Sequence, residues 1–384
     1  MNNLNSKTLF VVRALPYEAG GTPVVIRNLL NYLPKDSIYI LGRRVNPGKK
    51  LSREYIKQKM FKIPVLYTIG YRFWKYFSII PGFFMGIYII KKYNIQKIVG
   101  VFQDDASLIL AFLLAKCNKK IDFYPYFMDL YAEQKTGFSA QFSTYIQDKV
   151  FKRAKNILLI NDGMRDFQLA HHSSDKFVTI PIVSQQQQFL SNNKKPNDKF
   201  VITFSGTVNE DRLETLQVFT KELANDSRFT FKFLTAQTED DLRKLAVFFD
   251  GFSIKHCKTQ DELFLELSQS DLLYLPLRFT YPKSMDAQMS TCFGAKIFDY
   301  LQMSVPILIH SPSNFFNYTY FENHNAGFLL NTLDVKQIHI SLDSFFKGDF
   351  KDLAFEKYEN ANRLAKNFSG EVVSKLFLEQ LNKK

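Results

Sequence analysis

Short apolar runs alternate along this chain with segments whose apolar positions recur every three or four residues. The runs at 8–13 (TLFVVR), 37–42 (SIYILG), 96–102 and 122–128 (DFYPYFM) are almost continuously apolar, as strands covered on both faces of a parallel sheet must be. The segments between them read as helices. One is opened by Thr22 as a cap with Pro23 at its first position, one runs from Asp104-Asp105 through Leu114, and one covers 142–153. A strand at 156–160 leads into Asn161-Asp162-Gly163-Met164, and 176–183 (KFVTIPIV) closes the series. Residues 184–199, with four glutamines and Ser-Asn-Asn-Lys-Lys-Pro, form a polar break. The pattern then restarts: strand 200–205, turn Gly206-Thr207, helix 212–224, strand 230–234, helix 239–248, strand 252–256, helix 259–269 and strand 271–276. After these come a short helix from about 295 to 303 and a buried strand that starts at Pro306.

Two successive αβ series joined by one linker predict an α/β protein of two Rossmann-like domains facing across a cleft. The boundaries are 1–183 for the first domain, 184–199 for the linker and 200–354 for the second domain. Residues 355–384 are expected to form a helical segment that packs back on the body through Phe377, Leu378 and Leu381. At 384 residues the chain is long enough for two full cores, and 46% hydrophobic with 15% aromatic content excludes a disordered chain. Cys117, Cys257 and Cys292 are far apart and odd in number, which argues against a disulfide framework or a clustered zinc site and fits a reducing cytoplasm. Arg13 interrupts the first apolar run, so no signal-peptide order is present.

Charge is unevenly placed. Residues 1–182 hold 27 Lys and Arg against 12 Asp and Glu, a net +15, whereas the rest of the chain has 23 against 25. The basic run from Arg43 to Lys62 leads into an aromatic and aliphatic stretch, 67–93, that contains Trp74. Residues 76–90 lack charge, but fifteen residues fall short of the roughly 20 needed to span a bilayer. Most of their apolar side chains are expected to be buried in a helix pair. A basic half next to an aromatic run also suits an anionic membrane surface. No RNA-binding motif, zinc-finger spacing or basic groove helix appears, so nucleic acid ranks last among partners.

Candidate chemistry centres on residues 290–309, STCFGAKIFDYLQMSVPILI. Ile297, Phe298 and Leu301 recur at helical spacing and can pack inward, leaving Lys296, Asp299 and Tyr300 nearer the surface. Ser290, Thr291 and Gly294 in the preceding loop can free or cap backbone amides for an anion, and Asp299 one turn along can accept hydrogen bonds from vicinal sugar hydroxyls. In the first half, Gly20-Gly21 lets the backbone come close to a ligand. Asp129 and Glu133 follow a strand's carboxyl end, where open sheets bind ligands, while Asp104 and Asp105 serve equally as helix caps. Arg278 and Lys283, in the polar loop after Pro276, can supply positive charge. The six histidines show no metal or triad spacing, and His310 suits a core or surface role.

Lys296-Ile-Phe-Asp299-Tyr-Leu followed by Pro306-Ile-Leu resembles the nucleotide-binding segment of GT-B glycosyltransferases of the family 4 (group 1) type. The resemblance implies a carboxylate at Asp299 on the donor's ribose, with Lys296 beside it, and a first domain for the acceptor. Gly20 and Gly21 then face the donor phosphates. Gly206 and Thr207 form the matching turn of the second domain, and Arg212 stands near the family's diphosphate-binding Lys. Two positions depart from the pattern: Thr207 replaces an Arg, and Thr291 replaces the first of two Glu residues. The resemblance further implies retention of anomeric configuration, no divalent metal, and no cofactor besides the nucleotide-sugar donor. Asp129, Arg212 and Lys283 are the residues expected to act on the transfer.

The function expected on this ground is a glycosyltransferase of the hexosyltransferase type. It would move a sugar to a glycan or lipid-linked acceptor in cell-surface polysaccharide synthesis, in the cytoplasm or peripherally on the membrane's inner face. The alternatives are a non-catalytic GT-B-like accessory subunit, suggested by Thr207 and Thr291, and a GT-B nucleotide-sugar epimerase.

Overall fold

The computed structural model describes residues 6–18, 21–43, 58–63, 75–184, 198–294 and 296–383. The chain separates into two compact units, residues 1–183 with 368–384 and residues 184–367.

In the first unit, β1 (Thr8–Ala14), α1 (Gly21–Leu30), β2 (Ile38–Arg43) and β3 (Lys59–Ile63) build one half of a sheet. Next come α2 (Ile79–Tyr93), β4 (Lys97–Phe102), α3 (Asp105–Cys117), β5 (Asp122–Phe127), α4 (Gly137–Arg153), β6 (Ile157–Leu159), α5 (Asp162–His171) and β7 (Phe177–Thr179). The strands are all parallel, in the order β3-β2-β1-β4-β5-β6-β7. β1, β4 and β5 sit centrally with their side chains almost wholly buried, which is why they lack the alternation of a half-exposed strand. Gly100 in β4 lets α3 lie close, since a Cβ there would stand 2.7 Å from the Cβ of Ala111. Asp104 and Asn161 cap α3 and α5 by accepting the amides of Ser107 and Met164, each at 2.8 Å.

The second unit contains β8 (Phe200–Ser205), α6 (Glu210–Ala224), β9 (Phe229–Leu234), α7 (Glu239–Lys244), β10 (Ser253–Lys255), α8 (Gln260–Ser268) and β11 (Leu272–Pro276). It continues with α9 (Asp286–Thr291), α10 (Lys296–Tyr300), β12 (Ile307–His310), α11 (Phe316–Asn323), β13 (Phe328–Leu330), α12 (Val335–Ser344) and α13 (Phe350–Ala365). Its parallel sheet runs β10-β9-β8-β11-β12-β13. An aromatic core of Phe204, Phe219, Phe231, Phe233 and Tyr274 fills the space under α6, with Phe219 and Tyr274 stacked at 4.2 Å.

Three expectations are corrected. The segment expected from 355 onward is two helices: α13 belongs to the second unit and α14 (Gly370–Asn382) to the first. On α14, Phe377 stacks on Phe10 at 5.8 Å, and the Leu381 carbonyl accepts the Tyr124 hydroxyl at 3.3 Å. The helix expected over 142–153 begins earlier, at Gly137, because its outward positions Phe138, Phe142 and Tyr145 are apolar and blur the amphipathic pattern. The apolar run 76–90 gives one described helix whose outward side chains, Ile80, Phe84 and Tyr88 among them, are exposed rather than buried. Most of the expected linker, 185–197, lies outside the described residues, as do Gly20, Trp74 and residues 44–57 of the basic run.

Candidate functional site

The second unit brings two segments together that stand far apart in sequence. β8 ends at Ser205, and Gly206 follows at φ +121°, a conformation open to glycine and strained for other residues. A Cβ built on Gly206 would lie 3.7 Å from Cε of Lys296, so the turn and α10 are neighbours. Lys296 Nζ stands 3.5 Å from Oδ2 of Asp299, one helical turn on. The Tyr300 hydroxyl accepts the Ser205 amide at 2.9 Å and donates to the Tyr274 carbonyl at 3.4 Å. Arg212, in the first turn of α6, donates to the Thr207 carbonyl at 3.2 Å. Gln237 grips the same turn from β9's side, accepting the Val208 amide at 2.7 Å and donating to the Val208 carbonyl at 3.2 Å.

The electrostatics follow from this packing. Burial pushes the Asp299 carboxyl above the ordinary carboxylate value, and Lys296 offsets part of that shift. Its side chain keeps 20% of its surface open to solvent, so a ligand hydroxyl can reach it. Burial raises the Tyr300 phenol to about 12, which keeps it neutral as a hydrogen-bonding tie. Ser205 Oγ is buried and has no hydrogen-bond partner beside this turn. The arrangement therefore offers two cations, Lys296 and Arg212, a carboxylate, and a glycine turn around one locus.

Several expectations for this region change. Tyr300 is buried, not near the surface, because its hydroxyl is spent on Ser205. Ser290 and Thr291 belong to the last turn of α9 rather than to a loop, and their hydroxyls donate to the Ala287 carbonyl at 3.2 and 2.7 Å. The amide of Ile297 donates to the Gly294 carbonyl at 3.0 Å, so it is not free for an anion. Lys283 stands exposed at the start of the 3₁₀ turn Lys283–Met285. Arg278 is engaged beside the first turn of α6, 3.6 Å from Asp211 and donating to the Thr280 carbonyl at 2.8 Å. His310 is buried between the Tyr274 hydroxyl at 2.7 Å and the Thr332 carbonyl at 2.6 Å. The carbonyl can only accept, so Nε2 carries the proton and Nδ1 receives the tyrosine.

In the first unit, Gly21 opens α1 with free space where a Cβ would stand, so nothing there demands glycine. Asp129 follows β5 and is exposed, yet the surrounding protein desolvates it and pushes its carboxyl up to about 6. Glu133 is held differently: its Oε1 accepts Gln147 at 2.9 Å and Gln168 at 2.8 Å, while Oε2 is buried without a partner. Asp104 caps α3 and also pairs with the buried guanidinium of Arg43. Arg43, the first cation of the basic run, is thus withdrawn from the surface. Burial alone would raise the Asp105 carboxyl, but Lys135 and Lys75 hold it below the ordinary value.

Tyr300, Gln237, Gln147 and Gln168 were not legible as site residues. Only Gln147 left a trace, being four residues after Ser143 at an inward spacing that amphipathic helices normally give to apolar groups.

The fold has clear relatives. The structure of a sucrose-phosphate synthase from Thermosynechococcus elongatus superimposes over 96% of this chain and 96% of its own, with a TM-score of 0.70 at 10% identity. A glycosyltransferase from Rickettsia africae gives 0.71 at 17% identity over 98% of both chains. HepE from Anabaena, in complex with UDP-glucose, gives 0.63 at 12% identity over 98% of this chain and 99% of its own. The fold is GT-B. Among the described residues its two Rossmann-like domains are the parallel sheets set out above. No protein-family model matches the chain, and no curated protein matches it in sequence.

Proposed function

We propose that this GT-B protein is a glycosyltransferase that takes a sugar from a nucleotide donor held by its second domain. The observation that carries the reading is the convergence of the Gly206 turn, Lys296, Arg212 and Asp299. Departure of a nucleoside diphosphate develops negative charge on the leaving oxygens. On this reading Lys296 and Arg212 meet that charge, and the Asp299 carboxylate accepts the ribose hydroxyls. Similarity to a protein solved with UDP-glucose supports a nucleotide-sugar donor. The family resemblance supports retention of configuration and turnover without a divalent metal, and it supports a glycan or lipid-linked acceptor in polysaccharide synthesis. Asp129, with a carboxyl that burial pushes up to about 6, is the candidate in the first domain for handling the acceptor's proton. The charge of +15 on residues 1–182 supports work at an anionic membrane surface. No described helix is long and apolar enough to cross a membrane.

The experiment is a panel of nucleotide sugars offered to the whole chain, with release of nucleoside diphosphate followed in EDTA and in Mg²⁺. Donor cleavage that survives EDTA supports the proposal. Nucleotide binding without cleavage of any donor favours an accessory subunit, and conversion of UDP-N-acetylglucosamine to its epimer favours an epimerase. Loss of cleavage in EDTA with recovery in Mg²⁺ overturns the metal-independent assignment.

A further inference from the structure

One layer of helices in the first unit presents an apolar face to solvent. In a parallel sheet ordered β3-β2-β1-β4-β5-β6, right-handed crossovers put α2, α3 and α4 on the same side, and α3 packs against both of the others. The orientation of α2 is set by Gly82 and Gly86. A Cβ at either would stand 2.8 or 2.6 Å from Leu110 or Leu114 of α3, so this glycine face must point inward. At about 100° per residue, the opposite face then carries Ile80, Phe84, Tyr88 and Lys91. Phe84 is 69% exposed. On α4, Ser143, Ile146, Gln147 and Val150 point inward, and the outward line is Phe138, Phe142, Tyr145, Lys149 and Lys152. Phe138 is 83% exposed. Between them, α3 offers half-buried Ile109 and Phe112, then Lys116.

The three lines share one arrangement: aromatic or aliphatic side chains toward the helix N-terminus and lysines toward the C-terminus. Crossover helices run antiparallel to their strands, so the apolar ends lie at the carboxyl edge of the sheet, the edge that Asp129 follows. Lysine ammonium groups lie over the rings of Tyr88 and Tyr145 at 5.0 and 5.2 Å. α2 has no acidic residue, and the other two helices carry only Asp105, paired with lysines, and exposed Asp148. A soluble surface rarely keeps so many neighbouring apolar side chains uncovered. Rings beside lysines, on a half-chain of +15, complement an anionic bilayer, where rings enter the headgroup region and ammonium groups meet phosphates.

We propose that the outward face of α2, α3 and α4 is a docking surface for an anionic lipid bilayer, with Phe84, Phe138 and Phe142 inserting at headgroup depth. This deepens the membrane reading given above and rests on it, but it names a surface and a second force. Charge attraction alone is screened by salt, whereas inserted rings give binding that salt leaves in part. It also sets the sheet's carboxyl edge at the bilayer, as a lipid-linked acceptor would require.

The test compares the whole chain with Phe84→Ser/Phe142→Ser, both sites being exposed, and with Lys91→Gln/Lys149→Gln. Each is sedimented with vesicles of phosphatidylcholine alone or mixed with phosphatidylglycerol, at low and high salt. Unchanged circular dichroism and unfolding midpoint establish that the variants fold. The expected result is binding to the mixed vesicles that falls at least tenfold in the Phe variant at both salt concentrations, and that loses its salt dependence in part in the Lys variant. Full binding by the Phe variant at low salt, with complete loss at high salt for every protein, overturns the docking surface and leaves charge attraction standing. Absence of binding to either vesicle overturns both. A concentration-dependent dimer that the Phe substitutions abolish makes the face an interface between copies and overturns the lipid assignment. None of these outcomes depends on donor cleavage, so the glycosyltransferase reading stands or falls separately.

Discussion

Replacing Asp299 by Ala is the most direct probe of the nucleotide site. The carboxylate is partly buried, 3.5 Å from Lys296, and disfavoured as an ion by that burial. Bound ribose would donate hydroxyl hydrogen bonds to it, and their net loss is taken as that of one hydrogen bond to a charged group, about 1.5–3 kcal/mol. The Ala variant should therefore bind UDP or GDP about 10- to 150-fold more weakly by calorimetry. The fold should change little, within about 1 kcal/mol. Lys296 keeps 33% of its side chain in solvent and can be hydrated there, and a strained buried charge is removed. Asp299→Glu should bind nearly as well as the parent. A second cycle isolates the contact. Deoxy-UDP, lacking the ribose 2′-hydroxyl, should bind the parent less well than UDP, but the Ala variant should distinguish the two much less. Unchanged UDP and GDP affinity in a folded Ala variant would refute the assignment. So would a penalty for deoxy-UDP that remains full-sized after the substitution.

Three further outcomes are expected. Tyr300→Phe strands the buried Ser205 amide and should lower unfolding free energy by about 1–3 kcal/mol in denaturant titrations; no change would mean the hydroxyl tie is immaterial. The Asp129 carboxyl, raised to about 6, should give kcat/KM an acidic limb near that pH once an acceptor is known, and the limb should vanish in Asp129→Asn. Between about 4 and 6 the folded state binds the proton that the unfolded chain has released, so this group lowers stability as pH rises through that window. His310 acts in the opposite sense. Its imidazole is lowered from 6.5 to about 4, so stability is lost as pH falls from 6.5 toward 4, by an order of about 3 kcal/mol. His310→Gln should flatten that acid dependence in unfolding titrations, whatever it does to stability at neutral pH, and an unaltered slope would count against it.

The strands were legible because a central strand of a parallel sheet is covered on both faces, and residues 8–13 or 122–128 have almost no polar position to obscure them. Helices were legible where one face met solvent in the ordinary way. The start of α4 and the outward orientation of α2 were not, because their outward faces bear Phe138, Phe142 and Phe84 and so look inward by composition. The mismatch falls on the face proposed above as a docking surface: a pattern that reads side chains by hydrophobicity assigns apolar residues to the interior even where they are exposed. At the nucleotide site the limit is different. Asp299 and Lys296 share one turn, so local spacing pairs them. Tyr300 is the next residue, and over the five residues of α10 no periodicity separates buried from exposed. Its burial is decided by the Ser205 amide, 95 residues earlier, and the approach of Gly206 to Lys296 spans a similar separation. Such pairs are set by the order of strands in the sheet: β8 lies beside β11, and β11 beside β12. The turn after β8 and the start of α10, in the crossover from β11 to β12, are thereby carried to neighbouring places at the carboxyl edge of the sheet. A motif therefore shows which residues can do the chemistry, while the sheet order shows which of them meet.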